Sequence, residues 1–330
     1  MSRFILIFVA AIMVIGCNND KDTSPFDEIL LQPPYASITD SIKQEPGRDD
    51  LYFRRAILLN KNNFPEPALA DFKKAWSLSK QENYALGASN LLLAKNKDEA
   101  IDFMQQALKE LPNSVLLQMT LAHAYDEQNK IDEALAICNN ILQTQPNFIS
   151  TLVLKSDLLQ KKGDTTGTIN ALEKAHQLIP DNLDISFRLV YQYAETKDPK
   201  TIPLADSLIK SDTLRLHADP YYVKGIYYSN IKDYKKAIHW FNETIRFDYN
   251  YLNAYIEKGK ILLDQKKTEE SLSTFQLANT IKPSFPDAWY WMGKCMEALG
   301  KKEDAKLNYE KAYALDKTFI EAKEAAEKMK

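Results

Sequence analysis

The sequence predicts an all-α protein, a stack of about eight antiparallel helix pairs. Three observations carry that expectation. Pro112, Pro146 and Pro180 follow one another at intervals of 34 residues, each behind an apolar helical stretch. Small residues recur at fixed places in the same period, and large apolar residues stand beside them. Few segments alternate apolar and polar residues as a half-buried strand would, and only 9 Gly and 14 Pro interrupt 330 residues.

The small residues mark where paired helices cross. Numbering each period from starts near 49, 81, 115, 149, 183, 218, 252 and 286, slot eight holds Ala56, Ala88, Ala122, Ser156, Gly225, Gly259 and Gly293. Slot twenty holds Ala68, Ala100, Ala134, Thr168, Ala237, Ser271 and Ala305, and slot twenty-seven holds Ala75, Ala107, Ala175, Ala278 and Ala312. Between them lie Tyr52, Tyr84, Leu152, Tyr221, Tyr255 and Trp289 at slot four, and Phe72, Met104, Leu172, Phe241, Phe275 and Tyr309 at slot twenty-four. Small residues at a crossing with bulky ones beside them are what two interlocking helices require. Pro46 and Pro283 fall in the closing slot of their own segments.

This pattern resembles the tetratricopeptide repeat superfamily, most closely where Ala288-Trp289-Tyr290-Trp291-Met292-Gly293 is followed by Ala305, Tyr309 and Ala312. The resemblance spans about residues 49–319 and implies a right-handed superhelical solenoid. The fifth unit is the poorest. Val190 replaces the small crossing residue and Pro199 and Pro203 bracket the second helix, which is expected to be short or shifted, over 204–210. Stacked arrays need covered ends. Residues 34–48 read as a capping half-repeat, and 319–329 as an Ala/Glu/Lys-rich capping helix that runs into the end of the chain at 320–330.

The N-terminus reads as an address. Arg3 precedes an apolar run over 4–15 that is too short to favour a membrane span. Val14-Ile15-Gly16-Cys17 then resembles the lipobox of bacterial lipoproteins, which implies that residues 1–16 are removed and Cys17 carries lipid. Residues 17–33 read as a flexible tether, polar at first. Asn18 rather than Asp after the Cys favours the outer membrane by that resemblance. Asp20 and Asp22, interrupted by Lys21, resemble the surface-export signal of some lipoproteins, so periplasmic and surface exposure both stay open.

Composition excludes several classes. Hydrophobic residues at 45% and charged residues at 26% are those of a folded chain, and a net charge of -3 without a basic run does not fit a nucleic-acid binder. No nucleic-acid partner is therefore expected. His123, His176, His217 and His239 fall in different repeats, without metal-ligand spacing, a phosphate loop or a nucleophile motif. Cys138 and Cys295 occupy buried slots about five repeats apart, too far for a disulfide. No metal, cofactor or catalytic centre is expected.

In tetratricopeptide arrays the first helices line a concave groove. Slot five reads Phe53, Ala85, Met119, Val153, Phe187, Tyr222, Ile256 and Tyr290, without a charge. Slot two, which includes Asp50, Asp184, Asp219 and Asp287, is mostly acidic, and slot nine includes His123, Asp157, Tyr191, Lys260 and Lys294. Read as a groove, this is an apolar floor edged by carboxylates, suited to a protein segment with aliphatic anchors and basic flanks. Read as packing, slot five meets neighbouring repeats and slot two stabilises helix N-termini. Slot five never carries Lys and slot nine never carries Asn, so the carboxylate clamp of chaperone-cofactor repeats is missing. The expectation is a tethered scaffold that binds another envelope protein. The alternative is a helical-repeat lipoprotein for a small ligand or glycan, with Trp289, Tyr290, Tyr222, Tyr221 and Phe187 lining a pocket.

Overall fold

The computed structural model describes residues 25–329. The signal and Cys17 lie outside those residues. Among the described residues there are nineteen α-helices and no strand. Two short helices lead, α1 (Asp27–Leu30) and α2 (Ala36–Gln44). Sixteen helices follow, two to each repeat in sequence: α3 (Asp49–Lys61) then α4 (Pro65–Leu78), α5 (Glu82–Lys95) then α6 (Lys97–Glu110), and α7 (Val115–Glu127) then α8 (Ile131–Thr144). Next come α9 (Ile149–Lys162) with α10 (Thr165–Leu178), α11 (Leu183–Glu195) with α12 (Thr201–Ser211), and α13 (Asp219–Asn230) with α14 (Tyr234–Phe247). The last pairs are α15 (Leu252–Asp264) with α16 (Thr268–Ile281) and α17 (Pro286–Ala298) with α18 (Lys302–Leu315), closed by α19 (Ile320–Lys328). The fold class is the one predicted: helix pairs with a half-repeat before them and a capping helix after them.

The chain divides into two compact units, one ending at Gln128 and the other starting at Asn129. In the second unit, the three crossing glycines explain the pairing. A Cβ at Gly225 would lie 2.5 Å from the Phe241 ring, at Gly259 2.4 Å from Phe275, and at Gly293 2.5 Å from Tyr309. Each aromatic ring therefore lies against the backbone of its partner helix, and all three are fully buried.

Local signals set the helix ends. The side chains of Asn96, Asp164, Asn182 and Asp233 accept first-turn N–H groups of α6, α10, α11 and α14, and Pro65 and Pro286 open α4 and α17. The turn inside a pair recurs with one device. Seven of the eight repeats place a left-handed residue at the fifteenth position: Asn63, Asn129, Gly163, Lys197, Lys232, Lys266 and Gly300, with φ between 58° and 79°. Only two are glycine. In six of them the N–H that follows reaches back to close the preceding helix, as from Asp233 to the Tyr228 carbonyl at 2.8 Å and from Lys267 to Leu262 at 2.9 Å.

Residues 27–33, which the sequence assigns to the tether, are folded. Leu30 is buried and Ile29 half-buried, so these two side chains anchor the short α1 helix to the first unit. The Leu30 carbonyl accepts the Thr39 hydroxyl at 2.8 Å, and Thr39 in turn accepts from Arg55 at 2.9 Å. Arg55 is itself buried and holds Asp71 through two bonds of 2.7 and 2.8 Å. The half-repeat is thus locked to α3 and α4 through a buried polar chain.

The fifth pair departs from the expected second helix. It runs over Thr201–Ser211 rather than 204–210, because Pro203 falls in the first turn, where no intrahelical N–H is needed. It is 11 residues long against 14 for the second helices of the other pairs. Ala205, fully buried, becomes the small residue of the crossing.

Candidate protein-binding groove

The second unit holds a cleft of about 400 Å³ between consecutive first helices. Gln160 of α9, Phe187, Arg188, Tyr191 and Gln192 of α11, Asp219, Tyr222 and Val223 of α13, and Tyr251 and Asn253 at the start of α15 line it. On α11 the spacing 187, 188, 191, 192 puts all four side chains on one helix face. The cleft thereby unites Phe187, Tyr191, Asp219 and Tyr222, four of the residues that the sequence put in the groove.

Aromatic rings form its apolar part. Tyr222 packs 5.0 Å from Tyr251 and 5.7 Å from Phe241, centroid to centroid. Phe187 lies 5.3 Å from the ring of His217, on the loop before α13. Tyr191 is 42% exposed, so its ring is offered to a visitor rather than spent on packing.

The polar part is acidic. The Tyr251 hydroxyl donates to Asp219 at 3.0 Å. Arg188 is clamped by Asp157 and by Asp184, the latter at 3.0 Å, so one guanidinium faces two carboxylates. Burial pushes the Tyr191 phenol up, helped by the charge of Glu195 and a hydrogen bond to it. Burial also raises Tyr222, with Glu257 next in effect, and raises Tyr251, with Asp219 next. Asp157 is raised by burial against the opposing pull of Arg188. Every phenol of the cleft therefore stays protonated at neutral pH and works as a donor or a ring face.

The remaining predicted residues are not gathered there. Phe53, Met119 and His123 belong to the first unit. Phe53 is wedged against Phe72 at 5.8 Å and Tyr84 at 4.8 Å, Met119 is half-buried, and His123 is exposed. Ile256 is buried beside Phe275 and Met292. Tyr290 packs against Tyr309 at 5.6 Å and Phe319 at 4.9 Å, beneath the C-terminal helix. Asp184 borders the cleft through Arg188. Asp287 is half-buried, and burial raises its carboxyl. The apolar floor expected along slot five is therefore discontinuous: Ala85 and Ile256 are buried between helices, which is the packing reading of that slot, while Tyr222, though buried, has an edge on the cleft.

The pocket aromatics of the alternative reading also separate. Tyr221 packs on Phe247 and Trp240, and the Trp289 indole N–H donates to the Pro283 carbonyl at 2.8 Å, so both lie outside the cleft. Cys138 and Cys295 are fully buried and not disulfide-bonded. Burial raises the Cys295 thiol, which lies 3.4 Å from the Ser271 hydroxyl.

Sequence reasoning missed Arg188, Gln192, Val223 and Tyr251. Arg188 and Val223 fall at slot six and Gln192 at slot ten, away from the slots that line such grooves, and Tyr251 precedes its helix; Asn253 stands in slot two and Gln160 in slot twelve.

Comparison with known proteins gives the same architecture. Residues 91–151, 218–251, 252–285 and 286–319 match families described as tetratricopeptide repeat. Tetratricopeptide repeat protein 21A of Homo sapiens is 26% identical over 159 residues, 48% of this chain and 12% of that protein. The DnaJ homolog subfamily C member 7 homolog of Schizosaccharomyces pombe is 25% identical over 224 residues, 66% of this chain and 42% of that protein. The chain thus spans less than half the length of either relative. A solved tetratricopeptide repeat protein from Parabacteroides merdae, 16% identical, superposes with a TM-score of 0.59 over 74% of this chain and 97% of that one. The chain therefore carries tetratricopeptide repeats.

Proposed function

We propose that this chain is a lipid-tethered adaptor of the bacterial cell envelope that holds a segment of another envelope protein in the cleft between α9, α11, α13 and α15. The observation that carries the reading is the convergence of Phe187, Tyr191, Asp219 and Tyr222 from two adjacent first helices on one open, aromatic and acidic cleft. Tetratricopeptide repeats generally bind protein partners, and such a surface suits a segment with apolar anchors and basic flanks. The tether is supported by Arg3, the apolar run over 4–15, and Gly16 before Cys17; Asn18 favours the outer membrane.

A photoreactive residue in place of Tyr191 tests the groove. Crosslinks in the native cell should be to one or a few envelope proteins. Recovery of glycans or small molecules alone would sink the adaptor reading. Labelled palmitate should enter the wild-type chain and not Cys17→Ala, and equal labelling of both would remove the tether.

A further inference from the structure

The cleft offers more than a surface of suitable polarity, because the charges in and around it do not balance. Arg188 is the cation in its lining, and two carboxylates, Asp157 and Asp184, already hold it. Asp219 accepts the Tyr251 hydroxyl at 3.0 Å, and the Glu195 carboxylate stands near the Tyr191 phenol. Among the described residues no cation is paired with either. Lys260, on α15, is engaged by Glu257 at 2.9 and 3.1 Å. The lining itself carries one cation, Arg188, and one anion, Asp219, and the carboxylates of Asp157, Asp184 and Glu195 beside the lining make the surroundings of this aromatic cavity negative.

We propose that this cavity receives the ammonium or guanidinium of a Lys or Arg side chain carried by the partner segment. The rings of Tyr191, Tyr222 and Tyr251 present faces and edges to the cation, and Asp219 accepts one of its N–H groups. Gln160, Gln192 and Asn253 add amide oxygens around the rim, so several donors of such a group find acceptors. The cavity of about 400 Å³ exceeds the volume of one side chain, which leaves room for the aliphatic stem against Phe187 and Val223. A carboxylate ligand would face Asp219, with Glu195 behind Tyr191, and be repelled.

This inference rests on the groove reading above. The full chain is titrated with acetyl-arginine amide, acetyl-lysine amide, the uncharged acetyl-norleucine amide and spermidine, followed by saturation-transfer NMR and calorimetry. The two basic amides should bind in about the millimolar range, with the norleucine compound at least about tenfold weaker. Asp219→Asn combined with Glu195→Gln should abolish that difference while leaving the circular dichroism unchanged. Norleucine amide binding as well as lysine amide overturns the proposal without any variant. Spermidine binding where the basic amides do not overturns the side-chain source. Protein crosslinks at Tyr191 without any preference for cations would remove this inference and leave the adaptor reading standing.

Discussion

The ammonium of Lys224 lies 3.5 Å from the centroid of the Trp240 ring, buried beneath it. Its other partner is Asp206, at 2.6 Å, which stands where the regular repeats carry Phe72, Met104, Leu172, Phe241, Phe275 or Tyr309. The irregular fifth pair is therefore joined to the sixth by a charge held between a carboxylate and an indole, and the carboxylate takes the slot of a large apolar side chain. Asp206 is 56% exposed, so water screens the ion pair on its outer side.

Asp206→Ala should accordingly cost about 1–2 kcal/mol, because it leaves a buried ammonium with the ring alone. Lys224→Met should be near neutral, since it removes the charge and keeps the stem. Urea unfolding of the single and double variants checks the coupling. Strict additivity would mean that the two residues do not depend on each other.

The crossing glycines make a second prediction. Gly259→Ala puts a Cβ 2.4 Å from the buried Phe275 ring and should destabilise the second unit by about 1–3 kcal/mol. Phe275→Leu in the same chain should restore part of the loss. A melting temperature unchanged by Gly259→Ala would show that the helices separate without penalty.

In the first unit, Asp71→Ala strands the Arg55 guanidinium in a buried place and should cost about 3–5 kcal/mol. Hydrogen exchange should accelerate most in α2, α3 and α4. Uniform acceleration along the whole chain would argue that the network is not local.

Lys232 and Lys266 occupy left-handed turns at φ 64° and 60° with exposed side chains. A left-handed non-glycine residue costs about 1–2 kcal/mol, while glycine adds about 0.5–1 kcal/mol of unfolded-state entropy. Each Lys→Gly substitution should therefore stabilise by about 0.5–1 kcal/mol, measured by denaturant titration. A loss of stability would show that these lysines make contacts worth more than the backbone relief.

The loop after α12 should be sensitive to acid. The backbone N–H of Leu216, and next that of His217, hold the Asp212 carboxyl below its usual value of 3.8. A depressed folded pKa means the stabilisation is complete above 3.8 and fades as pH falls through the lower folded value. Exchange of the Leu216 and His217 amides should rise in that acid window, and Asp212→Asn should remove the dependence. An Asp212 carboxyl that titrates in NMR at or above 3.8 would contradict the geometry.

The fold was legible because its determinants are periodic. The prolines 34 residues apart and the small residues at crossings act through nearest-neighbour packing, which a single chain displays repeatedly. The second helix of the fifth pair starts ahead of its expected place because Pro203 reads as a boundary in sequence, although a first turn accepts it. The groove was legible only in part. Whether a slot-five residue faces water depends on how near the next helix stands, which separates half-buried Phe187 from buried Ile256. The Lys224–Trp240–Asp206 cluster left no mark in the sequence, because it joins three helices through residues with no shared slot.

The Leu30–Thr39–Arg55–Asp71 chain has a mechanical meaning. Tension entering from residue 25 must pull out a buried carbonyl whose bond to Thr39 is backed by a two-pronged ion pair. In a pulling experiment the segment before Asp49 should resist as a latch and release in one step. In Thr39→Val that step should shift to lower force, while later steps stay where they were. The first helix pair would thus be shielded from drag on the N-terminal segment until the latch gives way.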